Sequence, residues 1–353
     1  MSHERKCSAI LIGLPLVLAL TASAWGGADF VIGAAKVKAG TAFSGLLPVP
    51  GPDGTATAIP FTVINGARSG KVLALVAGVH AYEYPPILAL YRLKALIDPK
   101  ALRGTVVMVH IANLPSFKRR TIYYGPDDWK NLNRVFPGDA NGTTSQRIAA
   151  VINDEIVGRA DVLLDMHCGD GNEALIPYTY WMISGDKAFD ARTRDLALAF
   201  GLPHIIIDDT RGRDLKDSKY LGNTAILRGK PAITTEAGFL GRSDEDDILR
   251  NVNGVLNVMR LLKMIGGTPQ PVKDPVWIDK YEVVNSSADG LFYPKVDMGA
   301  AVAEGQIVGT LKDYWGKTHE DVKAPFAGLI LYIIGTPPAN KGEPLFEVGR
   351  IKK

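Results

Sequence analysis

Four residues in the 353-residue sequence are of types that hold a metal ion and move protons: His80, Glu83, His167 and Glu236. Histidine, glutamate and histidine suit a catalytic divalent ion, because three protein ligands leave a fourth position open. An ion so held lowers the pKa of a water and polarises a carbonyl oxygen. A carboxylate alongside then accepts the proton and delivers it to a leaving nitrogen, and Glu236 is the candidate for that task. The His-x-x-Glu spacing of His80 and Glu83 is common by itself. The combination becomes informative once the four residues are placed on the elements that carry them.

Residues 71–80 form a short apolar run, expected as a buried strand that ends at His80. Residues 84–98 follow with helical spacing and with prolines where a first turn tolerates them, so Glu83 opens that helix. Further strands are expected at 104–112, 160–167, 204–207 and 231–236, and helices at 145–159, 188–200 and 246–264. His167 and Glu236 therefore also end strands. Alternating strands and helices predict an α/β fold, with a mixed, largely parallel sheet covered by helices on both faces. In open sheets of this kind, ligands sit outside the carboxyl ends of the strands.

The flanking regions differ. Residues 25–70 read as edge strands and turns, and belong with 71–268 in one catalytic domain. Glycines and prolines crowd 266–275, which reads as a linker. Residues 275–353 hold no helical pattern and are punctuated by glycine, so a small all-β, barrel-like C-terminal domain is expected there. At the other end, 1–24 pairs Arg5 and Lys6 with an apolar run of about a dozen residues, short for a bilayer span, and an Ala22-Ser23-Ala24 site. That is the layout of a cleavable signal peptide and implies a periplasmic or secreted protein. Its removal leaves Cys168 as the single cysteine, with no internal disulfide.

Composition narrows the classes. Hydrophobic residues at 46% and charged residues at 22% exclude a disordered, collagen-like or coiled-coil chain. Forty Lys and Arg against 37 Asp and Glu are too balanced for binding nucleic acid or a membrane surface by bulk charge.

Four segments carry a resemblance. Gly78-Val79-His80-Ala81-Tyr82-Glu83 resembles the G-x-H-G-x-E motif of the succinylglutamate desuccinylase/aspartoacylase family of zinc-carboxypeptidase-like hydrolases. Asn131-Leu132-Asn133-Arg134-Val135-Phe136-Pro137-Gly138 is similar to its D-L-N-R-x-F-P-G signature. Asp165-Met166-His167 and Glu236-Ala237-Gly238 resemble its D-x-H and E-A-G segments, in the same order. The resemblance implies one zinc ion on His80, Glu83 and His167, and Glu236 as general base and then acid. It also implies that Asn133 and Arg134 hold the substrate's carboxylate, a role that suits a guanidinium fork. The chain departs from the pattern at Ala81, where Gly is usual, and at Asn131, where Asp is common. The family's oxyanion arginine has no clear counterpart, since Ile122 stands near its place. Arg119 and Arg120 are the two candidates to replace it.

Other polar residues have quieter readings. Asp165 shares a strand face with His167, and either orients it or serves as a solvated or capping carboxylate. Cys168 is expected as a buried thiol, His110 and His204 as structural, and Arg211 and Arg213 as part of a solvated loop. In the resembling family the C-terminal domain covers the mouth of the site, and the Tyr314-Trp315-Gly316 turn is placed to project toward it. The resulting expectation is an exported zinc-dependent amidohydrolase acting on a small carboxylate-bearing substrate such as an N-acyl amino acid. The alternative is a metallocarboxypeptidase acting on peptides or cell-wall fragments. A non-catalytic binding protein is disfavoured by the presence of all three ligand types together with Glu236.

Overall fold

The computed structural model describes residues 26–52 and 56–353, together with Met1. Apart from Met1, the leader read at 1–24 lies outside the described residues.

Why the central strands form where they do is visible in Arg68–Ala77. Leu73, Leu75 and Ala77 face one way and pack with Ile87, Leu90 and Leu93 of the helix Tyr84–Leu96. Ala74 and Val76 face the other way, onto Ile148, Ile152, Leu221 and Ala225. A strand buried on both faces reads as a continuous apolar run rather than an alternating one. Each such leucine, removed wholly from water, contributes roughly 1.5–3 kcal/mol. The helices Lys187–Phe200 and Glu245–Leu261 share the first face through Leu196, Phe200, Val252 and Val255.

These strands belong to a thirteen-stranded mixed sheet. In its middle, Ala232–Glu236, Val162–His167, Arg68–Ala77 and Arg103–Val109 lie side by side and parallel. The first three are the strands that lead to Glu236, His167 and His80. Being adjacent and parallel, they deliver those residues to one edge of the sheet. Toward one end, Thr57–Asn65 and Thr41–Val49 pair antiparallel. Thr57–Asn65 is largely buried, which makes part of the expected N-terminal edge a real layer of the core.

Toward the other end, Tyr178–Met182 and His204–Asp208 lead to Val276–Asn285, which pairs parallel with His204–Asp208. From residue 276 on, the chain is strand and turn throughout, as composition implied. Val276–Asn285, Pro344–Ile351, Gly328–Ile334 and Ala301–Val302 continue the large sheet. Gly290–Pro294, Ile307–Lys312, Thr318–Lys323 and Pro338–Ala339 form a separate four-stranded antiparallel sheet. Phe292, Val308, Leu311, Ile330 and Phe346 fill the space between the two. One strand ties this region back to the centre: Glu173–Leu175 pairs with Gly328–Ile334, Leu175 opposite Tyr332.

Local boundaries shift for physical reasons. The first central strand stops at Ala77 because Gly78 takes φ 68°, and a Cβ there would stand 3.0 Å from the Ile111 Cα. The helix expected at 145–159 starts as α-helix over Thr144–Val151 and widens to π-helix over Ile152–Val157.

Candidate metal centre and substrate cavity

The turn that begins at Gly78 brings His80 beside Glu83. Glu83 holds the N-cap position of the helix Tyr84–Leu96, but its side chain caps nothing. Instead, one carboxylate oxygen lies 2.8 Å from His80 Nδ1 and the other 2.8 Å from His167 Nδ1. The Cys168 backbone N–H also donates to that second oxygen, at 3.3 Å. Ligand atoms of His80, Glu83 and His167 all lie within 4.8 Å of one another. Glu83 and His167 are buried, and His80 is nearly so.

The far nitrogens decide what the near ones can do. His80 Nε2 is 3.0 Å from Asn131 Oδ1. That atom also accepts the Asn133 backbone N–H at 2.9 Å, so it is an oxygen and His80 Nε2 carries the hydrogen. His167 Nε2 is 3.0 Å from Asp165 Oδ1 and donates likewise. Both Nδ1 lone pairs therefore face the two oxygens of one carboxylate. A cation between them turns that mutual repulsion into coordination. Two imidazoles with fixed tautomers and a carboxylate fit a divalent metal, with Asp165 and Asn131 as the supporting acceptors. The site needs positive charge in another sense too. Burial raises the Glu83 carboxyl, and with no metal ion only protonated imidazoles, His167 foremost, supply the positive charge that holds it down at about 2.

Glu236 ends its strand directly opposite His167 in the parallel pairing and opposite Tyr178 on its other side. Gly238, two residues on, has φ 118°, and a Cβ there would reach 2.6 Å from the Pro85 ring. Glu236 Oε2 is buried without a hydrogen-bond partner among the described residues. Burial pushes its carboxyl well above the usual range; His167 opposes this, while Glu83, Glu173 and Asp165 add to it. A buried carboxyl of raised pKa with an unengaged oxygen is suited to taking and returning a proton.

These residues line one cavity of about 620 Å³. Asn133 lies in its wall, its Oδ1 accepting the Leu221 N–H at 2.9 Å and its amide nitrogen 3.4 Å from His167 Nε2. Arg134 is exposed, braced by the Asn133 carbonyl at 2.9 Å and by the Tyr220 ring at 4.7 Å. The structure thus brings together His80, Glu83, His167, Glu236, Asn133 and Arg134. It does not bring Arg119 or Arg120 to the cavity. Arg119 closes the short helix Leu114–Arg119, Arg120 takes the left-handed conformation after it, and both side chains are exposed. Tyr123 follows and lines the cavity, its ring 6.0 Å from that of His80.

Arg211 corrects the solvated-loop expectation. It pairs with buried Asp208, lies over the Tyr220 ring at 4.0 Å and lines the cavity, whereas Arg213 is exposed. The Tyr314-Trp315 turn is exposed and does not line the cavity; the C-terminal contribution comes instead from Tyr281, Tyr332 and Glu347. Cys168 is a free buried thiol. His110 stacks on Tyr91 and bonds Thr62, and burial holds it at about 4.

An open α/β sheet that gathers a His-Glu-His triad and an unengaged glutamate at the ends of parallel strands defines a metal-dependent amide hydrolase. The succinylglutamate desuccinylase/aspartoacylase catalytic domain matches residues 69–262, more than half of the chain, and the protein belongs to that family. It is 31% identical over 265 residues to N-alpha-acetyl-L-2,4-diaminobutyric acid deacetylase of Halomonas elongata, covering 73% of this chain and 75% of that one. Among solved structures it is similar to the product-bound ectoine utilization protein EutE (DoeB) of Ruegeria pomeroyi, with 28% identity, a TM-score of 0.76, and 88% and 95% of the two chains covered. It is also similar to a succinylglutamate desuccinylase/aspartoacylase from Rhodobacter sphaeroides, with 26% identity, a TM-score of 0.76, and 88% and 96% covered.

Proposed function

We propose that the protein is a zinc-dependent deacylase that hydrolyses the amide of a small N-acyl amino acid, Nα-acetyl-2,4-diaminobutyrate being the first substrate to try. The observation that carries the reading is the unengaged Glu236 carboxyl in the same cavity as the His80–Glu83–His167 triad and Arg134. His80, Glu83 and His167 would hold a zinc ion, which would supply Lewis acidity to the scissile carbonyl and to a water. Glu236 accepts the proton of the attacking water and returns it to the departing nitrogen, so water and amide become acid and amine. Arg134, which has no ion-pair partner among the described residues, holds the substrate carboxylate with Asn133 beside it. The named relative from Halomonas elongata supports the acyl amino-acid class. Walls contributed by the C-terminal strands favour a small substrate over a peptide.

The test is a product screen by mass spectrometry. Zinc-loaded protein is incubated with N-acyl amino acids and short peptides, beside Glu236→Gln. Release of free acid from acyl amino acids by the wild type alone upholds the reading. Trimming of peptides from the C-terminus replaces it with a carboxypeptidase. The basic, apolar and small-residue layout of 1–24 further supports export. Fractionation of cells, with the mass of the mature N-terminus, checks this: a cytoplasmic chain that retains Met1 ends it.

A further inference from the structure

Two acids in the cavity wall are used by none of the chemistry above. Glu173 opens the strand Glu173–Leu175 and is half-buried; its Oε2 accepts the Asp170 N–H at 3.1 Å, and the Tyr123 hydroxyl is its other hydrogen-bond partner. Glu347 lies on Pro344–Ile351 and is fully buried. Among the described residues its hydrogen-bond partners are tyrosine hydroxyls: Tyr180 at 3.3 Å to both oxygens and Tyr178 at 3.5 Å. Those are long hydrogen bonds for a carboxylate. Among the described residues neither acid is in an ion pair, and the nearby Arg211 is already matched by Asp208.

Burying carboxylates without a cation is costly, and a ligand that supplies the missing charge offsets that cost. Burial pushes the Glu347 carboxyl up to about 8, which a cation alongside would reverse. The surrounding wall is aromatic. Tyr123, Tyr178, Tyr180 and Tyr332 line the cavity with these acids, and ring faces attract an ammonium as a carboxylate does. Beyond the metal triad and Glu236, the cavity therefore offers a substrate one guanidinium without an ion-pair partner among the described residues, Arg134, and one acidic, tyrosine-walled side.

We propose that Glu173 is the specificity-determining residue for a substrate that carries a free ammonium as well as a carboxylate, with Glu347 on the same tyrosine-lined wall as a weaker contributor. This rests on the deacylase reading of the cavity. A diamino acid acylated on one nitrogen satisfies both unmatched charges, whereas its analogue without the second amine leaves Glu173 unanswered.

The experiment compares Nα-acetyl-2,4-diaminobutyrate with Nα-acetyl-2-aminobutyrate on the zinc-loaded full chain at pH 7. The wild type is expected to favour the cationic substrate by about tenfold or more in kcat/KM. Glu173→Gln should lower the cationic substrate by about tenfold and the uncharged one by less than about threefold, so that the preference collapses. Glu347→Gln should act in the same direction but less, because that carboxyl, pushed up to about 8 by burial, largely holds its proton at pH 7 and is already bonded by Tyr180. A wild type with no preference overturns the inference, as does a Glu173→Gln variant that loses both substrates equally. Hydrolysis of neither substrate removes the deacylase reading instead. In that event, calorimetric binding of 2,4-diaminobutyrate, weakened by Glu173→Gln, still upholds the role of the carboxylate, and unchanged binding ends it.

Discussion

The ends of the central parallel strands and the C-terminal antiparallel strands meet in one cavity but are built on different terms. Ala232–Glu236, Val162–His167 and Arg68–Ala77 are neighbours, buried on both faces, and they deliver the metal ligands and Glu236 with little freedom. Val276–Asn285, Gly328–Ile334 and Pro344–Ile351 come from far along the chain and contribute tyrosines and Glu347 instead. Chemistry sits where the backbone is most constrained. Substrate choice sits on walls that can vary without disturbing the ligands. On that division, changes at the strand ends abolish turnover whatever the substrate, and changes in the walls alter preference or stability.

The sharpest break between the regions is expected at Glu236. Glu236→Gln keeps the shape of the site and removes the proton acceptor, so kcat should fall by about 10²–10⁴. Bound metal and KM should stay near wild type. Steady-state kinetics with metal analysis checks this. Loss of metal along with activity would make Glu236 part of the ligand shell rather than the base.

Glu347 tests the wall by stability. Its folded carboxyl titrates at about 8 against 4.5 for a free glutamate. A raised folded pKa means that the folded state holds the proton longer. The stabilisation is full below about pH 4.5 and is lost as pH rises through about 8, amounting to a few kcal/mol at most. Thermal unfolding followed from pH 4.5 to 8.5 should show a decline in the wild type that Glu347→Gln flattens. Parallel curves for the two proteins would place the titrating charge elsewhere.

Asp165 probes the support of the strand ends. It holds His167 through Nε2 at 3.0 Å. Asp165→Asn weakens that orientation while keeping its size, and metal affinity should fall about 10–100-fold. Competition with a chelator measures it. The effect should disappear at saturating zinc, where kcat recovers most of its value.

How much of this could be read before the fold was known follows the same division. His80, His167 and Glu236 each end a short apolar run, and local pattern places such residues. The helix opening at Glu83 was legible from its prolines. Arg211 was not, because its loop looks polar and its burial depends on Asp208 and Tyr220, residues that no local period connects. Arg119 and Arg120 were misdirecting for the opposite reason. They are close to the right place in the chain, but the left-handed turn at Arg120 leaves both in solvent and hands the cavity to Tyr123. Glu173 and Glu347 share a wall through the pairing of Glu173–Leu175 with Gly328–Ile334, a contact across more than 150 residues. The C-terminal segment was recognisable as β from its glycines, but not as a continuation of the main sheet.

The smallest expected effect marks the outer limit of the wall. Tyr314 and Trp315 are strongly exposed at the hairpin between Ile307–Lys312 and Thr318–Lys323, on the separate four-stranded sheet. Their rings touch each other and line no part of the cavity. Replacing both with alanine removes apolar surface already in water, so stability should change by less than about 0.5 kcal/mol. Substrate preference between cationic and uncharged acyl amino acids should also be unchanged. A shift in that preference would mean that the hairpin reaches the mouth during turnover, and the boundary between wall and bystander would then run through the small sheet rather than beside it.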